Sequence, residues 1–288
     1  MSSKVDLHVH STASDGVLSP EEVVQAALRS GLEIIGLADH DSTEGIPAAL
    51  QASKGSPLAV WPAVEISTDV PRSEIHILGY FIRYRDKHFQ SVLHALRQSR
   101  RERARRMVMK LAQMNLPVEW SRVLEFAGGG AVGRPHIAEA MRERGYVSSV
   151  AEAFSRYIGR NGPAYVERYK LTPVQAVALV VEASGLPVLA HPLSVDEYGD
   201  QLDLDKTIPE LAGAGLVGIE IYYPGYTEEE RQLLLALAQK WNLIPTGGSD
   251  FHGHDPGTPF IGEVEVPLIC AKRLKALCLK RRRESRAG

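Results

Sequence analysis

Val5-Asp6-Leu7-His8-Val9-His10 is a short apolar run that closes on two histidines, and Ile34-Ile35-Gly36-Leu37-Ala38-Asp39-His40-Asp41 repeats the arrangement further on. Short apolar runs bounded by turn-forming and polar residues read as buried strands. Between them, Ser19-Pro20-Glu21-Glu22 supplies a capping residue, a proline at the first helical position and early acids, which predicts a helix ending near Gly31. Strand, helix and strand in that order form a βαβ unit, whose strands lie parallel with helices covering the sheet.

Working outward, a helix is expected from about Glu44 to Ser53, then strands over Leu58–Ile66 and Glu74–Phe81. Alternation resumes late in the chain, with strands at Pro187–Ala190, Val217–Tyr222 and Leu243–Thr246 and helices over Thr172–Ser184, Asp205–Ala214 and Thr227–Trp241. That makes seven core strands, with Glu263–Val266 as an additional edge candidate and a basic helix over Lys272–Arg283. The middle reads differently. A long helical pattern from Phe89 to Asn115 carries Arg97, Arg100, Arg101, Arg103, Arg105 and Arg106, and further helices are expected at Glu119–Ala127, Arg134–Arg144 and Ser149–Ile158. The expected organisation is an α/β barrel built from residues 1–98 and 171–288, with a helical insertion over 99–170 that covers the active site.

Composition narrows the function classes. Hydrophobic residues form 44% of the 288, enough for a sizeable core. Thirty-three basic against 35 acidic residues leave a net charge of −2, which excludes a polycation; attraction to nucleic acid would need a local patch. Arg97–Arg106 and Lys280–Arg283 are the candidates, although such runs usually form solvated helix faces. Cys270 and Cys278 lie more than two helical turns apart, too far for a disulfide, and read as free thiols. The first residues lack the apolar core of a signal peptide, and no apolar run reaches membrane-spanning length, so the expectation is a cytoplasmic protein without a membrane or an obligate protein partner.

The chemistry gathers at the strand ends. His8 and His10 share one face of the first strand by alternation, and Asp15 follows in the loop. Asp39-His40-Asp41 ends the second strand, Glu65 ends the third, His76 lies inside the fourth, His191 ends the fifth, and Asp250-Phe251-His252 follows the seventh. In α/β barrels the carboxyl ends of the strands open on one face, so these side chains converge. Imidazoles with carboxylates and no thiolate suit Mn²⁺, Zn²⁺ or Fe²⁺. Nine candidate ligands, His8, His10, Asp15, His40, Glu65, His76, His191, Asp250 and His252, exceed what one or two ions need; three divalent ions, Mn²⁺ foremost, are expected. Adjacent ions activate water at neutral pH and offset the charge of a phosphoryl group.

The order of Asp6-Leu7-His8-Val9-His10-Ser11, Leu37-Ala38-Asp39-His40-Asp41, Glu65, His76, Ala190-His191-Pro192 and Gly248-Ser249-Asp250-Phe251-His252 resembles the polymerase-and-histidinol-phosphatase (PHP) family. That resemblance implies a distorted (β/α)₇ barrel and three metal positions: His8, His10, Glu65 and Asp250; Glu65, His76 and His191; and Asp15, His40 and His252. Gly133-Arg134-Pro135-His136-Ile137-Ala138 and Tyr165-Val166-Glu167-Arg168-Tyr169-Lys170 resemble a small bacterial branch of it. The branch implies removal of the 3′-phosphate from nucleoside 3′,5′-bisphosphates, or 5′→3′ release of mononucleotides from short RNAs. A second phosphate needs cations away from the metals, which singles out Arg134, Lys170 and Asn161 for substrate binding. Asp39 and His136 are candidate catalytic proton donors, and Tyr222, Tyr223 and Tyr226 could stack on a base. Histidinol-phosphate hydrolysis and amidohydrolase-type C–N cleavage stand as alternatives.

Overall fold

The computed structural model describes residues 4–70, 73–194, 202–253 and 259–287. The chain begins β1 (Val5–Val9), α1 (Pro20–Arg29), β2 (Ile34–Leu37), α2 (Ile46–Ala52), β3 (Ala59–Val70) and β4 (Ser73–Tyr80). Its helical middle is α3 (Lys87–Gln113), α4 (Trp120–Phe126), α5 (Arg134–Glu143) and α6 (Val150–Ala153), which runs into a π-helical turn at Phe154–Ile158. There follow α7 (Pro173–Glu182), β5 (Leu186–Leu189), α8 (Leu204–Ala214), β6 (Gly218–Tyr222), α9 (Glu228–Lys240), β7 (Ile244–Gly247) and α10 (Leu268–Ala287). Local chemistry sets the helix starts. Ser19 with Glu22, Thr172 with Gln175 and Thr227 with Glu230 each form a reciprocal capping box, satisfying backbone N–H groups that a helix leaves open.

The seven strands form one sheet in sequential order, and β1 returns to the segment after β7. His8 accepts the backbone N–H of Asp250, and His10 donates to the carbonyl of Phe251, so the sheet nearly closes into a barrel. Gly248 permits that closure: a Cβ there would stand 2.4 Å from the backbone nitrogen of His8.

The expected parallel order fails at one strand. β4 runs antiparallel to both β3 and β5. β3 is also longer than expected: Glu65 lies within it rather than at its end, and the strand continues to Val70 before turning back. A hairpin of this kind lengthens both strands, because each supplies the other's hydrogen-bond partners above the barrel. It also explains His76. The beginning of an antiparallel strand lies at the same rim as the ends of its neighbours, and His76 sits across from Ser67 there. Among the described residues, Glu263–Val266 forms no strand.

The helical middle has its own hydrophobic cluster, running from Ala104 to Val166. No linker marks its beginning, since α3 passes unbroken through 98–99. The packing partner changes along one helix instead: Phe89, Leu93 and Leu96 join the barrel core, whereas Met107 and Leu111 join the insertion. The arginine run along α3 is only partly a solvated face: Arg101, Arg105 and Arg106 are exposed, whereas Arg100 and Arg103 are buried.

Candidate metal centre

The sequence-predicted ligands converge at the rim of the barrel. Glu65, 1% exposed, is the centre of the group. Its Oε1 meets His76 Nδ1 at 2.7 Å and His191 Nε2 at 3.0 Å. Its Oε2 faces His8 Nε2 at 3.2 Å, His10 Nε2 at 3.1 Å and His40 Nδ1 at 3.1 Å. Asp250 Oδ1 lies 3.3 Å from His8 Nε2 and 3.1 Å from His10 Nε2. Asp15 reaches His252 Nε2 at 3.5 Å and His40 Nε2 at 3.9 Å.

Three groups among the described residues could each hold an ion: His8, His10, Glu65 and Asp250; His10, Asp15, His40 and His252; and His40, Glu65 and His76. The first matches the family expectation. The others share members, with His10 and His40 each facing two groups and His191 reaching the cluster through Glu65. The donor set fits cations. A tetrahedral ion with bonds of about 2.0–2.2 Å separates its ligand atoms by roughly 3.3–3.6 Å, close to the 3.0–3.3 Å spacings within the first group. His10 Nδ1, His40 Nδ1, Glu65 Oε2 and Asp250 Oδ1 are buried without a hydrogen-bond partner, a condition a bound cation would relieve.

Electrostatics follow from this crowding. Burial alone would raise Asp15, Glu65 and Asp250, yet the imidazoles around them hold all three well below the usual carboxylate range. Burial would lower His252, but Asp15 and Asp250 push it up to about 10. His40 goes the other way, to about 3, because burial outweighs Glu65 and Asp15. In the metal-free protein the raised value holds His252 as the imidazolium at neutral pH, and binding a cation through Nε2 would displace its second proton. Metal uptake at pH 7.5 is expected to release protons, and apparent affinity to rise with pH up to about 10, where the free imidazolium itself loses its proton. Titration of metal into weakly buffered protein with a pH indicator checks this; uptake without proton release would contradict it.

Other residues hold the ligands in place, and the sequence reading passed over most of them. Glu220 in β6 is fully buried, with both oxygens 3.3 Å from His8 Nδ1. Asp6 accepts the backbone N–H groups of Ser249 and Gly262, tying β1 to the segment after β7. Asp41 is completely buried; its carboxylate accepts from Arg100 Nε at 2.6 Å and from the Ser67 N–H at 3.2 Å, with Arg168 Nη2 at 3.6 Å. Arg97 donates to the Asp41 carbonyl. An acidic residue inside an apolar strand, as in Ile219-Glu220-Ile221, was the available signal for Glu220. Asp41 looked like a third member of a ligand motif and carried no signal of its arginine partners. Asp41, His191 and Asp250 all have positive φ (50°, 25° and 51°), a sparsely populated backbone region that the surrounding contacts must sustain.

The remaining candidates lie as follows. Asp39 accepts from the Ser11 N–H and hydroxyl and from the Ser14 hydroxyl, at 2.7–2.8 Å. Those bonds hold the loop that carries Asp15. The insertion reaches the same loop: a Cβ on Gly133 would stand 3.7 Å from Asp15 Oδ2. Gly133 caps α5, so Arg134 and His136 begin that helix close to Asp15, a candidate ligand. His136 Nδ1 accepts the Gly133 N–H, which puts the proton of the neutral ring on Nε2. The Arg134 guanidinium lies over the rings of Phe154 and Tyr165, at 5.1 and 5.8 Å. Lys170 is half-buried and Asn161 exposed, both in the segment returning from the insertion. Of the tyrosines, Tyr223 donates to Asp250 Oδ2 at 2.8 Å, Tyr226 accepts from the Leu193 N–H, and Tyr222 packs against the core.

Residues 6–161 match the PHP domain. The chain belongs to the PHP family. It is 34% identical to a 5′-3′ exoribonuclease of Haemophilus influenzae across 88% of this chain and 91% of that protein. It is 30% identical to a 3′,5′-nucleoside bisphosphate phosphatase of Chromobacterium violaceum across 92% and 93%. A phosphoribosyl 1,2-cyclic phosphate 1,2-diphosphodiesterase of Eggerthella lenta is 31% identical across 89% and 97%. A Bifidobacterium adolescentis structure described as a metal-dependent phosphoesterase superposes with a TM-score of 0.89 at 29% identity, across 94% and 95%. This PHP chain is a hydrolase of phosphoester bonds with candidate metal-binding groups at its barrel rim. No helix among the described residues is long and apolar enough to cross a membrane.

Proposed function

We propose that this chain removes the 3′-phosphate from nucleoside 3′,5′-bisphosphates, adenosine 3′,5′-bisphosphate to AMP among them. The same cleavage would release 5′-mononucleotides from short 5′-phosphorylated RNAs. In both, water attacks a phosphorus bonded to a 3′-oxygen, and the bond from phosphorus to that oxygen breaks. Three divalent ions, Mn²⁺ foremost, supply water activation and charge neutralisation when bound. His8, His10, Glu65 and Asp250 would hold one, Glu65, His76 and His191 a second, and Asp15, His40 and His252 the third.

The observation carrying this reading is the seating of the start of α5 against the Asp15 loop, which brings the helix that carries Arg134 and His136 beside the candidate metal ligands. Arg134 binds the 5′-phosphate. Its guanidinium is already oriented between two rings, so little freedom is lost on forming a bidentate contact. Lys170 adds a point charge and Asn161 a polar contact from the returning segment. His136 Nε2–H protonates the departing 3′-oxygen. Asp39 is better assigned to holding the Asp15 loop than to proton transfer, since hydrogen bonds already engage both of its oxygens.

Phosphate release with Mn²⁺ tests the assignment. Arg134→Ala is expected to lower kcat/KM for adenosine 3′,5′-bisphosphate by about 10–100-fold, the range of a lost charge-assisted contact. Hydrolysis of adenosine 3′-monophosphate, which has no 5′-phosphate, should change little. Equal losses on both substrates would remove the 5′-phosphate role, and a wild type inert on the bisphosphate would remove the function.

A further inference from the structure

β6 contributes no member of the three ligand groups, yet its central residue, Glu220, is a carboxylate with no exposed surface. Burying a carboxylate is unfavourable unless hydrogen bonds or charge compensate it. Among the described residues two donors meet Glu220, and both belong to candidate metal-site residues. Its Oε2 accepts the backbone N–H of His191 at 2.9 Å, and both oxygens lie 3.3 Å from His8 Nδ1.

We propose that Glu220 is a positioning residue that readies two ligands from different strands. It holds the proton of His8 on Nδ1, leaving the Nε2 lone pair for the cation, and fixes the backbone from which the His191 side chain projects.

The geometry on the opposite edge of the ring supports this. His8 Nε2 faces Glu65, Asp250 and His10 Nε2 at 3.0–3.3 Å, so the ring nitrogen away from Glu220 points into the first ligand group. An imidazole whose far nitrogen donates to a carboxylate is oriented and made a more basic ligand. His191 has a φ of 25°, a conformation a histidine holds only under constraint, and the bond from its N–H to Glu220 is one such constraint. One carboxylate thus sits behind ligands on β1 and after β5. This inference rests on the metal-centre reading and extends it to a residue outside the ligand set.

Glu220→Gln is the test, because it keeps the shape and removes one acceptor. If the amide oxygen keeps the His191 N–H, the amide NH₂ is left facing His8 Nδ1, which favours the tautomer with its proton on the metal side. The expected result is a 10–100-fold rise in the apparent Kd for Mn²⁺, read as free Mn²⁺ by electron paramagnetic resonance. Glu220→Asp, which keeps the charge but withdraws it by one methylene, should fall between the two. Melting of each metal-free protein is measured alongside. Unchanged Mn²⁺ affinity and stoichiometry in a folded Glu220→Gln protein overturns the inference while the metal centre stands. A wild type that takes up no Mn²⁺ overturns the metal centre and the inference with it. If the Gln variant does not fold, the Asp variant decides: wild-type affinity refutes the positioning role, and weakened affinity at a wild-type melting temperature supports it.

Discussion

Replacing Glu65 with glutamine is expected to reduce phosphoester hydrolysis by on the order of 10³-fold or more and to lower the amount of metal bound. The reason is geometric. Five imidazoles, from His8, His10, His40, His76 and His191, face the two oxygens of this one carboxylate within 2.7–3.2 Å. Among the described residues no other side chain in the cluster faces as many candidate ligands, so its charge would be shared by cations held on either side of it. Glutamine preserves the volume of a residue that is 1% exposed, which limits the effect on folding. It keeps only one oxygen, and its NH₂ group would point at imidazole nitrogens that need an acceptor or a cation. Mn²⁺-dependent phosphate release and metal content, measured on the same preparation, check the expectation. Activity and metal content within tenfold of wild type would show that Glu65 is not a metal ligand.

The second large effect concerns stability. Asp41→Asn is expected to destabilise the fold by about 3–5 kcal/mol, the usual range when one partner of a buried ion pair is removed. Asp41 faces Arg100 from α3 and Arg168 from the returning segment, all three buried. Both arginines lose their shared counter-charge in the variant. Burial alone would raise the Asp41 carboxyl, but Arg100 and Arg168 hold it below its ordinary value. A carboxylate with a depressed folded value contributes stability that is full above about pH 4, where the unfolded group is ionised, and is lost as pH falls through the depressed value. The gap between wild type and variant should therefore be complete at neutral pH and narrow on acidification. Urea unfolding at several pH values measures it. A gap independent of pH would show that the destabilisation comes from lost hydrogen bonding rather than charge.

Asp41 also ties the two parts of the molecule together. Its backbone N–H donates to the carbonyl of Glu65, its neighbour His40 is a candidate ligand, and its carboxylate is held by both ends of the helical insertion. The helical middle is in this way joined to the segment that carries the candidate ligands, and Arg134 lies on that helical middle. Proper seating of the helical segment and proper placement of ligands are thereby linked through one buried ion pair.

Local chemistry was enough to read much of this molecule from its sequence. Capping boxes and apolar runs announce themselves within a few residues, so Ser19-Pro20-Glu21-Glu22 and the run ending at His8 and His10 could be placed without knowing their neighbours. The convergence of His8, His10, Asp15, His40, Glu65, His191, Asp250 and His252 followed from strand polarity alone, because parallel strands open on one face.

What the sequence did not disclose depends on contacts between distant segments. β4 carries the same apolar alternation in either direction, and periodicity holds no information about polarity; its antiparallel course came from pairing with β3 and β5. The arginines of α3 look alike in sequence, and only the seating of that helix on the barrel sends Arg100 to Asp41 while leaving Arg101 exposed. Glu220 gained its place behind His8, 212 residues away, only when the barrel brought β1 and β6 to the same interior. The sequence by itself determined which His, Asp and Glu side chains stand near strand ends and which elements present them. The tertiary structure decided which charges face one another, because that is a matter of distances across the barrel that no local pattern encodes.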